Sequence, residues 1–177
     1  MRVPTIFSAS LAAVMLLGSP ALVGTPYPHA VVLPDQDDAR GRLDMRELKY
    51  GKREAGSFLK IRVLFYEGWP PRVLKPEERS SFGVLFNVDG DPQPEYRGSI
   101  LFRDGDLAAR IRGQGETLIR AVARPNPATA RFVVPGDSGP NPKGGEIGLR
   151  TRTVFFGRGC SRGCPDRIPL MGWAPSV

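Results

Sequence analysis

Residues 96–112 read Tyr-Arg-Gly-Ser-Ile-Leu-Phe-Arg-Asp-Gly-Asp-Leu-Ala-Ala-Arg-Ile-Arg, and this stretch decides the fold. Asp104-Gly105 stands at its centre, between two segments in which apolar and polar side chains alternate. Asp-Gly is the typical pair of a two-residue β-hairpin turn, because both central residues of that turn need a positive φ. The stretch therefore predicts two antiparallel strands, at 96–103 and 106–112, joined by this turn.

The same alternation extends to both sides of the hairpin, with apolar residues at every second position over 59–65 and 82–88. Such short alternating runs are typical of half-buried strands. Further strands are predicted at 43–50, 56–66, 116–124, 129–134 and 146–156, and an antiparallel meander at 80–134. Frequent Gly and Pro between short strands predict an all-β fold, an antiparallel β-sandwich of jelly-roll or immunoglobulin-like type.

The N-terminal segment has the three parts of a secretory signal: a short positive start, an apolar run at 11–17 and the small residues Ser19-Pro20-Ala21. We expect a signal-peptide helix at 1–21, cleaved after Ala21, with Gly24 or Ala30 as other cleavage positions. A retained membrane anchor is disfavoured, since a spanning helix needs about 20 apolar residues. The protein is thus predicted to be secreted and extracellular.

The remaining chain divides, by prediction, into an extended lead-in at 22–40 and a single β-sandwich domain at 41–177. The absence of a second long apolar segment predicts no membrane association after signal removal. The formal net charge is +7, with 20 Arg against 5 Lys. This excess indicates either attraction to anionic polymers or an ordinary solvated basic surface, because the Arg residues are spread along the chain.

Cys160 and Cys164 are the two cysteines of the chain, in Cys-Ser-Arg-Gly-Cys. In an exported protein an even pair so close in sequence predicts a disulfide. A redox pair is usually Cys-x-x-Cys at a helix start, and a structural zinc site needs four ligands. Neither pattern is present.

An acidic turn follows the strand at 82–88, and its oxygen-bearing residues are Asn87, Asp89, Asp91 and Glu95. Calcium takes six to eight oxygen ligands at short range, so this turn is a candidate calcium site. Aspartates of the lead-in would add ligands to it, namely Asp35, Asp37 and Asp38. The alternative is a polar turn between strands, because Asp-Gly alone explains a bend.

Short motifs across residues 35–173 resemble a group of bacterial secreted domains. These are Leu43-Asp44-Met45-Arg46, then 86–91 with Glu95-Tyr96, and finally the cysteine element with Asp166 and Trp173. The group is similar to DOMON-like and family-nine carbohydrate-binding-module β-sandwiches. The resemblance implies a fold more than an activity, and Asn87 and Glu95 stand where the pattern has aspartate.

Several kinds of catalysis lack their residues in this chain. The single histidine, His29, falls in the signal peptide or the lead-in, so no positioned imidazole is expected in the folded part. Ser-His-Asp, Cys-His and histidine-metal catalysis need that group. A glycosidase needs only two carboxylates, but no spacing selects a pair. We therefore expect no enzymatic activity.

The first hypothesis for function is a secreted, non-catalytic module that binds polysaccharide or another cell-wall glycan. Aromatic rings on loops stack on sugars, and the candidates are Tyr66, Trp69 and Trp173. The alternative for each ring is a place in the core, since tryptophan is usually largely buried. Tyr96 opens a strand and is expected to be structural.

The second hypothesis is an envelope structural or protein-interaction domain with a basic face and no small ligand. Four arginines on two successive strands are predicted to form this face, namely Arg110, Arg112, Arg120 and Arg124. Partners in either case would be an extracellular glycan, an anionic cell-wall polymer or another protein, and no nucleic acid is expected.

Overall fold

A computed structural model describes residues 30–53, 58–142, 145–169 and 172–174 of the chain. The predicted signal-peptide helix at 1–21 lies outside the described residues, and so does His29. Among the described residues the regular structure is β-strand, apart from a short 3₁₀ helix at Pro71–Leu74. The part of the chain described contains no helix that is long and apolar enough to span a membrane.

Ten strands make up the described structure. In chain order they are β1 (Ala30–Pro34), β2 (Met45–Arg53), β3 (Phe58–Phe65), β4 (Ser81–Asn87), β5 (Tyr96–Arg103), β6 (Asp106–Gly113), β7 (Glu116–Ala121), β8 (Thr129–Pro135), β9 (Gly148–Phe155) and β10 (Cys164–Ile168).

The strands form two antiparallel sheets. The four-stranded sheet has the order β1-β2-β3-β8, and the six-stranded sheet has the order β10-β9-β4-β5-β6-β7. The predicted hairpin joins β5 to β6, with φ of 54° at Asp104 and 92° at Gly105. A second turn with two positive φ values, at Gln114 and Gly115, joins β6 to β7. Positive φ at both central residues matches the turn that the right-handed twist of a hairpin favours.

One buried core lies between the inward faces of the two sheets. The alternation along each strand explains this: Leu59, Ile61 and Val63 of β3 are each fully buried, whereas Lys60 and Arg62 between them are not. Phe65 at the end of β3 meets Phe82 of β4 edge to face, with ring centroids 5.5 Å apart. This contact joins the two sheets directly.

The structure differs from the expected meander at its end. Strands β4 to β7 are neighbours in sequence order, but β8 pairs with β3 in the other sheet, where Ile61 lies opposite Phe132. Pro125 and Pro127 separate β7 from β8. Proline removes a ladder hydrogen bond, so the chain leaves one sheet here and enters the other.

Two strands lie in segments for which no strand was predicted. β1 belongs to the predicted lead-in, and its Val32 pairs with Lys49 at the edge of the four-stranded sheet. β10 follows the cysteine loop and pairs with β9. The predicted disulfide is confirmed between Cys160 and Cys164, with Cα atoms 5.4 Å apart, and Cys164 is the first residue of β10.

Candidate functional site

The acidic turn between β4 and β5 is organised by its own side-chain oxygens. Asn87 is 4% exposed, and its Oδ1 accepts a hydrogen bond from the Gly90 N–H at 2.7 Å. Its Nδ2 donates to the Asp91 carbonyl oxygen. Glu95 Oε2 accepts from the Val88 N–H at 2.6 Å. These contacts explain why the turn has a defined shape without any added group.

The two aspartates of this turn are exposed, and each caps the backbone two residues ahead. Asp89 Oδ1 accepts from the Asp91 N–H at 3.1 Å, and Asp91 Oδ1 accepts from the Gln93 N–H at 2.6 Å. One oxygen each of Asp89, Asp91 and Glu95 lies within 4.8 Å of the others. A carboxylate oxygen that accepts one hydrogen bond keeps a second lone pair, so these three carboxylates can hold their backbone contacts and still ligate a cation.

Trp69 does not present its ring to solvent. The residue is 2% exposed, and its ring meets Phe65 edge to face at 5.5 Å. The guanidinium of Arg124 lies over the same ring at 4.5 Å and donates to the Trp69 carbonyl oxygen at 2.6 Å. Burial therefore makes Trp69 a core residue, and the predicted ligand contact is not available to it in this structure.

Tyr66 and Trp173 belong to different sheets. Tyr66 follows β3 and is 37% exposed, and its hydroxyl donates to the Asp35 carbonyl oxygen at 2.7 Å. Trp173 is half-buried beside β9, where the guanidinium of Arg150 stacks over its ring at 4.7 Å. The three predicted aromatic residues thus do not line one common groove. Tyr96, expected to be structural, is 3% exposed.

The basic face predicted from Arg110, Arg112, Arg120 and Arg124 is only half correct. Arg110 and Arg112 alternate with buried residues of β6 and project outward. Arg120 lies opposite the buried Ala109, so it projects from the other face of the sheet. Arg124 follows β7 and covers Trp69. Its pKa is lowered by burial, which fits a guanidinium used for packing.

A larger basic surface covers the outward face of the six-stranded sheet, and we call it the arginine face. Directly opposed residues in neighbouring strands point to the same side of a sheet. The register therefore places seven arginines from four strands on this side. Arg103, at the end of the hairpin, is paired with Asp104. The other six form the arginine face: Arg97, Arg110, Arg112, Arg150, Arg152 and Arg167.

Two rows cross the arginine face at right angles to the strands. One row runs Arg167, Arg152, Gly83, Ser99, Arg110 and Ile119. The neighbouring row runs Arg150, Leu85, Arg97, Arg112 and Thr117. Small side chains at the centre of the first row leave a depression of about 490 Å³, whose lining includes Gly83, Ser99, Arg97 and Arg152.

The charge on this face is largely uncompensated. None of the six arginines forms an ion pair with an acidic residue among the described residues. Two pairs stand directly opposite each other, Arg97 with Arg112 and Arg152 with Arg167, and like charges so placed are destabilising. Burial and the neighbouring Arg167 lower the pKa of Arg150. Three acidic residues accompany these arginines: Glu78 lines the depression, Glu95 lies beside Arg97 and Arg112, and Asp106 lies opposite Arg103 at the hairpin end.

The outward face of the four-stranded sheet carries less positive charge. It has a shorter basic row, Lys49, Arg62 and Arg131. Arg62 is neutralised there by Glu47, with Nη2 and Oε1 2.6 Å apart. The larger and uncompensated positive surface is therefore the one on the six-stranded sheet.

Sequence reasoning missed Arg97, Arg150, Arg152 and Arg167 as members of one surface. A local signal was present, because Arg150-x-Arg152 repeats the two-residue spacing of Arg110-x-Arg112. Spacing of two places both side chains on one side of a strand. The alignment of four strands depends on pairing between distant segments, which no local pattern shows.

Comparison of the chain with protein-family models, with curated proteins and with solved structures finds no match. The resemblance to DOMON-like sandwiches accordingly stays a prediction.

Proposed function

We propose that this chain is an exported, non-catalytic β-sandwich that binds an anionic polymer, such as an acidic polysaccharide or cell-wall glycan, on the arginine face. The observation that carries the proposal is the set of six outward arginines without ion-pair partners in the described structure. The two antiparallel sheets that share a core support the sandwich.

The chemistry of the arginine face suits carboxylate, sulfate or phosphate groups. A guanidinium presents a planar fork of donors that matches these anions in a bidentate way, and it is more weakly hydrated than an ammonium group. The opposed pair of Arg97 and Arg112 supports this ligand class further. An anion between two guanidiniums would remove their repulsion, so binding would recover the free energy that the free protein loses there.

The spacing of the arginines suits a polymer better than a small ligand. Neighbouring strands are about 4.8 Å apart, so Arg152 and Arg110, three strands apart, are separated by about 14 Å. The depression over Gly83 and Ser99 lies between them. A chain crossing the sheet there would place charges at both ends of the depression. Trp173 borders the face through its contact with Arg150 and offers an aromatic edge to a sugar.

The test is binding of the mature chain, residues 22–177, to polygalacturonate and to poly(glycerol phosphate), with neutral dextran as the uncharged comparison. Isothermal titration calorimetry at low ionic strength is the measurement. The double variant Arg97→Ser/Arg110→Ser should lose most of the affinity. The matched control is Arg62→Ser/Arg131→Ser, which removes the same charge from the four-stranded sheet and should bind nearly as the parent does.

Salt dependence tests whether charge drives binding, and the comparison of the two double variants tests whether the arginine face is the binding surface. Binding should weaken as the Debye length falls from about 30 Å at 0.01 M salt to about 8 Å at 0.15 M. Equal loss in both double variants, or equal affinity for single-stranded DNA of the same charge, would mean that net charge alone drives association. Equally strong binding of dextran would remove the arginine face from the mechanism.

The alternative function, an envelope protein-interaction domain, has one observation in its favour. Ile119 on edge strand β7 is 61% exposed and ends the row that contains Arg110. An apolar side chain beside basic ones fits the border of a protein interface. Binding of a partner protein that is lost in Ile119→Asp, together with no binding to any glycan, would favour this alternative.

Export and calcium complete the proposal. Mass spectrometry of the chain recovered outside expressing cells should give a protein that begins at residue 22. The calcium ion predicted at the acidic turn, on Asn87, Asp89, Asp91 and Glu95, stays a prediction, and Asp89→Asn tests it through the calcium dependence of the melting temperature.

A further inference from the structure

Five aspartates converge where β1, β2 and β10 meet. Asp35, Asp37 and Asp38 follow β1, Asp44 directly precedes β2, and Asp166 lies within β10. One carboxylate oxygen each of Asp35, Asp38 and Asp166 lies within 4.8 Å of the others. The lead-in aspartates expected to join the acidic turn are thus gathered here instead. We call these five residues the aspartate cluster.

The carboxyl groups of the aspartate cluster contact one another in pairs. Burial raises the pKa of Asp35 to about 7, and the neighbouring Asp166 carboxylate adds to the shift. Burial, with contact from Asp37 and the charge of Asp166, raises the pKa of Asp44 to about 7 as well. The geometry alone leads to the same point, because three carboxylate oxygens within 4.8 Å of one another need a shared proton or a cation between them.

Asp44 is the residue that points most directly to a ligand. It is 4% exposed, and its Oδ1 has no hydrogen-bond partner. Asp44 directly precedes Met45, whose N–H donates to Asp166 Oδ2 at 2.6 Å, so Asp44 lies beside the Asp166 carboxylate. Asp35 Oδ2 is likewise buried without a partner. A buried, unpartnered carboxylate oxygen requires an explanation, and an ion is one that suits it.

No basic side chain supplies the missing charge. Among the described residues none of the five aspartates takes part in an ion pair. Arg152 and Arg167 line a depression of about 400 Å³ together with Asp38 and Asp166, but neither reaches ion-pair distance. This depression connects the aspartate cluster with solvent and offers a cation a way in.

Asp166 is fixed independently of any cation. Its Oδ2 accepts from the Met45 N–H at 2.6 Å, and its Oδ1 accepts from the Arg167 N–H at 2.5 Å. The first bond joins β10 of one sheet to β2 of the other. The carboxylate is therefore held in place, and its pKa, although raised by burial, is lowered in part by these two bonds.

We propose that the aspartate cluster is a divalent-cation site, with calcium as its ligand, Asp35, Asp38 and Asp166 as its carboxylates and the buried Asp44 beside them. Hard oxygen donors without histidine or cysteine select calcium or magnesium over zinc or copper. Several carboxylates from three chain segments suit the larger, flexible shell of calcium better than the strict octahedron of magnesium. Bound calcium would tie β1 and β2 to β10 and so join the two sheets.

The test uses calcium and terbium on the mature chain. Tyr66 donates its hydroxyl proton to the Asp35 carbonyl oxygen at 2.7 Å, so its ring is placed to sensitise terbium in the aspartate cluster. We expect terbium emission on excitation of tyrosine, displaced by calcium, and a calcium-dependent rise in melting temperature that a chelator reverses. Tyr66→Phe should reduce the emission while leaving the calcium-dependent rise.

Asp38→Asn is the informative variant, because Asp38 is exposed and the substitution keeps the size of the side chain while it removes the charge. Calcium affinity should fall about tenfold or more, since affinity follows the number of charged ligands. In chelator its melting temperature should equal or exceed that of the parent, which shows that it folds. Asp106→Asn is the matched control, because this exposed aspartate belongs to neither acidic group, and it should retain the response. Asp89→Asn distinguishes the acidic turn from the aspartate cluster.

Two results would overturn the proposal. Calcium that leaves the melting temperature unchanged, without terbium emission, would mean that shared protons alone hold the carboxylates together. A calcium response lost in Asp89→Asn but kept in Asp38→Asn would assign the ion to the acidic turn. Neither result bears on polymer binding by the arginine face, which is measured separately.

Discussion

Replacing Arg97 by glutamine should stabilise the protein while it weakens polymer binding. Arg97 lies directly opposite Arg112 on the outward face of the six-stranded sheet, and neither has an ion-pair partner among the described residues. Like charges directly opposed in a sheet are destabilising by about 0.2–1 kcal/mol. Glutamine keeps most of the stem of the side chain and removes the charge.

For a chain of this length a change of 1 kcal/mol shifts the melting temperature by about 2–4 °C. We therefore expect Arg97→Gln to raise the melting temperature by no more than about 4 °C at 0.01 M salt. The gain should vanish near 1 M salt, where the Debye length is about 3 Å. Differential scanning calorimetry at these two ionic strengths is the measurement.

The double variant Arg97→Gln/Arg112→Gln completes a thermodynamic cycle. Once one charge is gone the repulsion is gone, so the second substitution should add little stability, and the two effects should not sum. Arg131→Gln is the control, because the arginine opposite it, Arg62, is already neutralised by Glu47. An unchanged melting temperature at low salt, or an equal rise in the control, would refute the reasoning.

Four further outcomes follow from the structure. Trp69→Ala should lower the free energy of unfolding by about 3–5 kcal/mol in urea titration, because a buried ring is lost, whereas a purely ligand-binding ring would leave stability unchanged. Gly113→Ala should lower it by about 1–3 kcal/mol, since the added Cβ would lie 2.2 Å from a backbone carbonyl oxygen. Cys160→Ser/Cys164→Ser should lower it by about 2 kcal/mol, the loop entropy of a short disulfide, with the reduced parent as comparison. Asp89→Asn should leave intact the calcium-dependent rise in melting temperature that the aspartate cluster provides, and loss of that rise would place the ion at the acidic turn.

Local patterns were sufficient for the strands that alternate cleanly. β3, β4, β5 and β6 each place apolar residues inward at every second position, and the Asp104-Gly105 turn sets the register of one hairpin. In these segments the backbone preference and the side-chain pattern agree, so the strands can be predicted without knowledge of contacts between distant residues.

The remaining features depend on contacts between distant segments. β8 alternates as clearly as its predecessors, yet it pairs with β3 rather than β7, and its own sequence does not show that choice. The same is true of the aspartate cluster, in which Asp44 and Asp166 are separated by most of the domain. The burial of Trp69 depends on the core residues around it, because a tryptophan between glycine and proline fits an exposed loop or a buried anchor equally well.

The sequence of β10 explains why neither the arginine face nor the aspartate cluster was predicted. Its inward position is occupied by Asp166, where an alternating strand should carry an apolar residue, and its outward position by Arg167. A charged residue at the inward position interrupts the alternation of apolar and polar residues by which a strand is predicted. The same residue is the one that accepts hydrogen bonds from both sheets and contributes to the aspartate cluster. Consecutive side chains of a strand point to opposite faces. The two hydrogen bonds that hold Asp166 inward therefore also place Arg167 outward, in the row that crosses the arginine face.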